Sequence, residues 1–430
     1  VRTALWIAAL AVANMGATFL LQWYVLVFFG PGRETDALFA GMTVPNLVVV
    51  LTSAPVGNTL VPLFAQQPAG AGRQSVAWAM FAIISGIFGA LSVLFYFTAG
   101  WWAPALAPGF EGEARALLVE TSRIQVLGVV FTAQYSVAWA MCQARRQFVS
   151  VEVSLLVSVG LALGLMMWIA PRYGVLGVAW LNAGRAVLQT ILLLPGMGGL
   201  VRPDWRAPAL QDAWRRMWPL LVGGTYYKSD MLVDRFLSSM APAGGLSLFH
   251  LGRQLYAAAQ GILSKALVGP VVPTLAAQAG AGEFQAFRAL YRRRLVLVSG
   301  LILGGYAAYL VVGKLLLGLL IGHGGVTAEN LDTLHAILLA LVGFLLGAPS
   351  QILASSFYAL GDTRTPTKLS VVGYTLGVAM KVGGFYWGGL MGLAVGTSLY
   401  YLVNGVMLAV WLEARLKELS AVAPLSSGAA

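Results

Sequence analysis

Eight basic side chains stand where basic side chains are costly. Arg123, Arg185, Lys228, Arg235, Arg253, Lys265, Lys314 and Lys381 fall inside apolar stretches long enough to cross a bilayer. Even lenient insertion scales put the cost at about 2.5–3.5 kcal/mol for each at mid-helix. Lys381 and Arg235 lie within about two turns of an expected helix end, and there a long side chain can snorkel. Lys228 is placed near the middle of its span and has no such route. Asp230 and Asp234, four residues apart, share one helical face, and Lys228 and Arg235, seven apart, share another. Two chemistries suit this set. One is a salt-bridge network that fixes helix packing. The other is a hydrated cavity whose cations meet an anionic substrate, with Asp230 or Asp234 as a proton or sodium site. Glu120 and Arg123, three apart, are expected to pair on one helical face. Arg185 and Arg253 have no acid on their own helices and are the better ligand candidates, because the planar guanidinium donates two parallel hydrogen bonds to phosphate.

Other chemistries find no residues. The single cysteine, Cys142, excludes an intrachain disulfide, a thiolate zinc site and a CxxC redox pair. His250, His323 and His335 are widely separated and lack metalloprotease spacing. No GxxxxGK[ST] loop exists to couple ATP. The outward carboxylates Glu111 and Glu113 read as a solvated loop. No enzyme, metal site or cofactor is expected, apart from Na or H coupling.

The elements that must position these residues follow from composition. The chain has 430 residues, 59% hydrophobic and 10% charged, with a mean hydropathy of +0.79. A soluble domain is about one quarter charged. Apolar stretches of spanning length fall near 4–29, 37–65, 76–99, 116–142, 148–170, 174–198, 213–240, 246–275, 295–321, 332–358, 367–388 and 389–412. That is an all-α polytopic membrane protein of about twelve transmembrane helices. The first stretch reads as a helix rather than a signal peptide. Sixteen Lys and Arg residues fall in one alternate set of loops and ends, around Arg145, Arg216, Arg292 and Arg364. Only Arg33, Arg115 and Arg172 fall in the other. The asymmetry puts both termini in the cytoplasm and accounts for most of the net charge of +11. No polar domain is long enough to bind nucleic acid.

Short resemblances recur near the half-length: Leu60-Val-Pro-Leu-Phe-Ala-Gln66 is echoed by Val271-Val-Pro-Thr-Leu-Ala-Ala277. Six spans per half imply parallel repeats in a two-lobe bundle, with a cavity between the lobes. The expected organisation is a six-helix lobe over 1–198, a cytoplasmic linker over 199–216, a second lobe over 217–415 and a tail over 416–430. Pro45, Pro55 and Gly57 interrupt the second span, and Gly252, Gly261, Gly269 and Pro270 the eighth. Such breaks mark either a transport site or close helix packing. Asp36 is expected to cap the outer start of span two.

Gly30-Pro-Gly-Arg-Glu-Thr-Asp-Ala-Leu-Phe-Ala-Gly-Met-Thr-Val-Pro-Asn46 resembles the loop-to-helix motif of the MurJ (MviN) lipid II flippases. Phe357-Tyr-Ala-Leu-Gly-Asp-Thr-Arg-Thr-Pro-Thr-Lys368 resembles the family's tenth-to-eleventh-helix connection. Val233-Asp-Arg-Phe-Leu-Ser238 and Leu255-Tyr256 resemble its seventh and eighth helices. The resemblance implies a MATE-like fold that moves an undecaprenyl-pyrophosphate-linked cell-wall precursor across the bacterial inner membrane by alternating access. It also implies conformational roles for Gly32, Asp36, Pro45 and Asn46. Four departures are visible. The chain has room for twelve helices where the family has fourteen, residues 3–29 carry no basic residue, and Asn46 is followed by Leu-Val-Val-Val-Leu. On the eighth helix Leu251-Gly-Arg-Gln-Leu-Tyr256 puts Gln254 where the family has arginine, one position after Arg253.

The reading is a flippase whose substrate-binding residues are Arg253, Lys228, Arg185, Arg123 and Gln254, with Asp230 and Asp234 for ion coupling. Its partners are a lipid-linked glycan and membrane lipids, and a monomer is expected. The alternatives are a cation-coupled small-molecule exporter and a non-transporting cell-envelope scaffold.

Overall fold

The computed structural model describes residues 2–426, and every regular element among them is helical. The order is α1 (Arg2–Phe29), α2 (Arg33–Gly41), α3 (Thr43–Gln66), α4 (Ala71–Leu106), α5 (Gly112–Ala144), α6 (Phe148–Met197), α7 (Pro208–Lys228), α8 (Asp230–Ser239) and α9 (Gly245–Leu263). After a π turn and a 3-10 turn over 264–271 come α10 (Val272–Gly280), α11 (Phe284–Ile321), α12 (Ala328–Ala340), α13 (Gly347–Ala359) and α14 (Arg364–Ser426). Among the described residues eight helices are long and apolar enough to cross a membrane, or nine if the pair over 328–359, bent by 41°, is one span. The protein is therefore an all-α polytopic membrane bundle. Residues 427–430 of the expected tail lie outside the described residues.

Two of the long helices are hairpins. α6 reverses at Gly174, whose φ of 58° and ψ of −153° are open only to glycine. α14 reverses at Gly388 and Gly389, the latter with φ 55°. Its arms run antiparallel in close contact. A methyl group at Gly384 would strike the Gly392 carbonyl, and one at Gly396 would meet the Met380 carbonyl at 2.5 Å. In one straight helix those pairs would be about 12 and 24 Å apart.

The chain divides into two compact units, Val1–Ser247 and Leu248–Ala430. The boundary falls in the first turn of α9, so α7, which begins at Pro208 inside the expected 199–216 linker, and α8 belong to the first unit. The first core gathers Leu60, Phe64, Ala77, Met80, Val137 and Met141. The second gathers Phe287, Tyr291, Ile352, Phe357 and Leu412. Where water is absent, backbone groups freed by a broken helix need partners inside the protein. The α2–α3 break at Met42 shows the solution: Gln125 Nε2 donates to the Leu38 carbonyl at 2.9 Å, and Thr121 Oγ1 to the Ala37 carbonyl at 3.1 Å. Thr121 and Gln125 are one turn apart on α5 and serve as a polar clip.

Candidate functional site

The breaks follow the prolines and glycines only in part: span eight leaves the α-helix over 264–271, which includes Gly269 and Pro270, while Pro55 lies within an uninterrupted α3. Span two steps at Met42, next to Gly41, whose carbonyl is the one that Pro45, lacking an N–H, cannot bond; Pro45 then sits in the first turn of α3, and Asn46 N–H bonds the Met42 carbonyl at 3.0 Å. Span seven breaks at Ser229, so Lys228 ends one helix and Asp230 begins the next. Lys228 is thus at a break rather than in mid-helix, and its Nζ donates to the Val50 carbonyl at 3.3 Å. Span eight is intact through Gly252, which approaches Ile337; a Cβ there would lie 3.1 Å from the Ile337 Cγ2. For Gly252 close packing is the answer, and Arg253 has no break beside it.

Asp36 does cap a helix, but not its own. The start of α2 is closed by Gly32 and Thr35: Gly32 N–H donates to Thr35 Oγ1 at 2.9 Å. Asp36 is 1% exposed and accepts from Gly244 N–H at 2.7 Å, Ser247 N–H at 2.8 Å and Ser247 Oγ at 2.5 Å. Ser247 N–H belongs to the first turn of α9 and Gly244 N–H lies just before it, where a helix start leaves donors open. Arg235 is near enough for its charge to act on Asp36. Sequence reasoning missed Ser247 and Thr35. The available signal was Gly244-Gly-Leu-Ser247, a glycine turn with a serine placed to start a helix.

The cations divide into different situations. Arg235 is 7% exposed and Lys381 0%, so neither snorkels. Lys381 Nζ lies 5.6 Å from the Tyr400 ring centroid. Lys314 leaves the apolar surface by pairing with Asp332 at 2.6 Å, both well exposed. Arg123 does not pair with Glu120 as the spacing suggested. Its Nε donates to the Tyr96 carbonyl at 3.3 Å and its guanidinium lies 5.7 Å from the Tyr96 ring centroid. Arg253 stands over the Phe344 ring at 5.1 Å, half-buried beside Gln254. Asp234 is buried at 3% on α8. Arg123, Arg185, Lys228, Asp230, Asp234 and Asp36 belong to the first unit, and Arg253 and Gln254 to the second. Among the described residues no three metal-ligating side chains cluster.

Outside the apolar stretches, Glu413 gathers Arg288, Tyr291 and Arg292, the last at 2.7 Å. Asp362 accepts from Arg364 N–H at 3.1 Å and Thr365 N–H at 2.9 Å. Burial works against its charge, but these bonds prevail and hold the carboxyl below the usual carboxylate range.

Residues 26–424 match the family described as lipid II flippase MurJ. A probable lipid II flippase MurJ of Synechocystis is 23% identical over 82% of this chain and 70% of its own. One of Vibrio cholerae is 22% identical over 91% and 82%. The fold is similar to a solved lipid II flippase MurJ in an inward closed conformation, with a TM-score of 0.79 at 15% identity over 96% of this chain and 90% of that one. An inward-facing multidrug resistance MATE family transporter superposes with a TM-score of 0.82 at 14% identity over 94% and 95%. With nearly its whole length matched, the chain belongs to the lipid II flippase MurJ family.

Proposed function

We propose that the chain moves an undecaprenyl-pyrophosphate-linked peptidoglycan precursor across the inner membrane by alternating access. It is a transporter, not an enzyme. The observation that carries this is the family match over residues 26–424. Arg253, with Gln254 beside it, and Lys228 at the Ser229 break serve the substrate's phosphates. Arg123 and Arg185 line grooves of their own and are not assigned to this role. Asp230 and Asp234 form the Na or H coupling site. The Ser229 break supports this, because carbonyls at an interrupted helix can ligate a cation. Gly32, Asp36, Pro45 and Asn46 belong to the conformational machinery, with Asp36 acting through the start of α9.

Twelve crossings are supported by the two reversals inside α6 and α14 and by the bent and broken pairs α12–α13 and α7–α8. The basic-residue asymmetry supports cytoplasmic termini, and a monomer suffices. The test is complementation of cells depleted of their lipid II flippase. Wild type is expected to restore growth. Arg253→Lys is expected to be substantially defective, because an ammonium keeps the charge and loses the fork. Failure of the normally expressed wild type would sink the substrate assignment. Full activity of both Arg253→Lys and Arg253→Ala would make Arg253 structural.

A further inference from the structure

The α6 hairpin encloses a groove of about 640 Å³ between its two arms, a size that suits a drug- or lipid-sized ligand. Leu161, Leu165 and Trp168 line one arm, and Trp180, Arg185 and Leu188 the other. No acid lines it. Leu161, Leu165, Trp168 and Trp180 are each about half exposed, so the groove opens to the surroundings. Arg185 is its one charge, and the buried Nε of Arg185 has no hydrogen-bond partner among the described residues. The protein thus leaves the charge of Arg185 incompletely matched, which is costly, and a ligand's acceptor can meet it at the terminal guanidinium nitrogens, which are not among the buried unpartnered atoms.

A second groove adjoins the first, because Trp180 lines both. Tyr96, Arg115, Glu120 and Arg123 are its polar rim, in about 690 Å³. The two are set in register. α5 and the second arm of α6 run parallel: a Cβ on Gly128 would meet Ala183 at 3.3 Å, and Thr190 Oγ1 donates to the Phe131 carbonyl at 2.8 Å. Arg123 therefore lies level with the Trp180 turn, and Arg185 a little over one turn deeper. Helical side chains lean toward their helix N-terminus. For both arginines that is the side carrying Arg115 and Arg172. Three arginines and one glutamate leave the joined grooves with an excess of positive charge.

We propose that the joined grooves form a binding site for an anionic bilayer phospholipid. Its phosphodiester sits on Arg123 and Arg115, its ester oxygens face Arg185, and an acyl chain lies along Leu161, Leu165 and Leu188 beneath Trp180. A bilayer lipid is the occupant because the groove is open along an apolar surface and its charge complements a phosphodiester. The site does not depend on the translocation reading and needs no transport assay.

The purified full chain is titrated in detergent with phosphatidylglycerol or phosphatidylcholine carrying brominated acyl chains. Quenching of Trp180 is read as the difference from Trp180→Phe. Phosphatidylglycerol is expected to quench at about tenfold lower concentration than phosphatidylcholine, whose phosphodiester offers the same oxygens but whose choline cancels the net charge; tenfold corresponds to about 1.4 kcal/mol. Arg123→Gln with Arg185→Gln is expected to erase that preference. Gly184→Phe fills the groove at a position with no neighbour within 4 Å, keeps both arginines, and is expected to abolish Trp180 quenching by either lipid. Equal quenching by the two lipids overturns the proposal. So does a preference that survives both the arginine and the Gly184 variants, or displacement of phosphatidylglycerol by equimolar undecaprenyl phosphate.

Discussion

The two glycine-turned hairpins solve one problem in opposite ways. α14 is closed along its length: Gly384 meets Gly392, Gly396 meets the Met380–Lys381 backbone, and Gly377 meets the Tyr400 ring. Its intramembrane cation, Lys381, is fully buried against Tyr400. The arms of α6 meet beside the turn, where a Cβ on Gly177 would lie 2.6 Å from the Ile169 side chain, yet Gly160, Gly164 and Gly184 have no neighbour within 4 Å, and its cation lines an open groove. Small residues permit close helix approach without compelling it. Where the arms close, a cation is shielded by the protein. Where they stay apart, it is left to be met by something else.

The sharpest way to break this contrast is to add bulk. Gly384→Leu is expected to remove the folded protein or cost at least about 3 kcal/mol, since a backbone carbonyl cannot move aside. Gly164→Leu is expected to shift the thermal midpoint little. Size-exclusion melting in detergent reads both, and equal losses would show that α6 has no free space.

The cations come next. Tyr400→Leu is expected to cost about 2–3 kcal/mol, combining a cavity with the lost ring contact. Arg185→Met in lipid-free detergent is expected to stay within about 0.5 kcal/mol of wild type or to stabilise, because it removes a buried group that lacks a partner. A large loss from Arg185→Met would put Arg185 in the same class as Lys381.

The approaches to the hairpins differ as well. Asp362 closes the first turn of α14, and Asp362→Ala is expected to cost about 0.5–2 kcal/mol. Its carboxyl titrates lower in the folded chain than the usual value of about 3.9. Its contribution is therefore present above that value and lost as pH falls through the folded one. The gap between wild type and Asp362→Ala should close on acidification below about pH 4. α6 instead follows Arg146, held at φ 58°, so Arg146→Gly is expected to gain up to about 1 kcal/mol. An Arg146→Gly chain that melts lower would show that its side chain contributes more than its backbone strain costs.

What the sequence made legible was local. The reversal at Gly174 falls where the apolar stretches 148–170 and 174–198 part, and that at Gly388 and Gly389 where 367–388 and 389–412 part. Hydropathy and a glycine turn act over a few residues, so they can be read from a few. The step at Met42 was signalled by Pro45, which cannot bond the Gly41 carbonyl, whereas the break at Ser229 escaped because no proline or glycine stands at it. Each is completed by groups far away in sequence, the Gln125 amide for the Leu38 carbonyl and the Val50 carbonyl for Lys228. The role of Asp36 was half legible. An acid near a helix start announces a cap, but which helix it caps is settled by packing across 211 residues. Glu120 and Arg123 had the right spacing to pair, and a tyrosine carbonyl on α4 won the arginine.

That 211-residue reach sets a timetable. While the chain is being made, Asp36 enters the membrane long before Ser247 exists. At about 5–20 residues per second the wait is on the order of 10–40 s. Through that interval the carboxylate must stay hydrated or shielded by the insertion machinery, and the first unit cannot reach its final form. Its last contact is made only when the ribosome has already begun the second unit. Assembly order is thereby written into one hydrogen-bonded acid, and a chain released before residue 247 leaves that carboxylate without its two Ser247 donors.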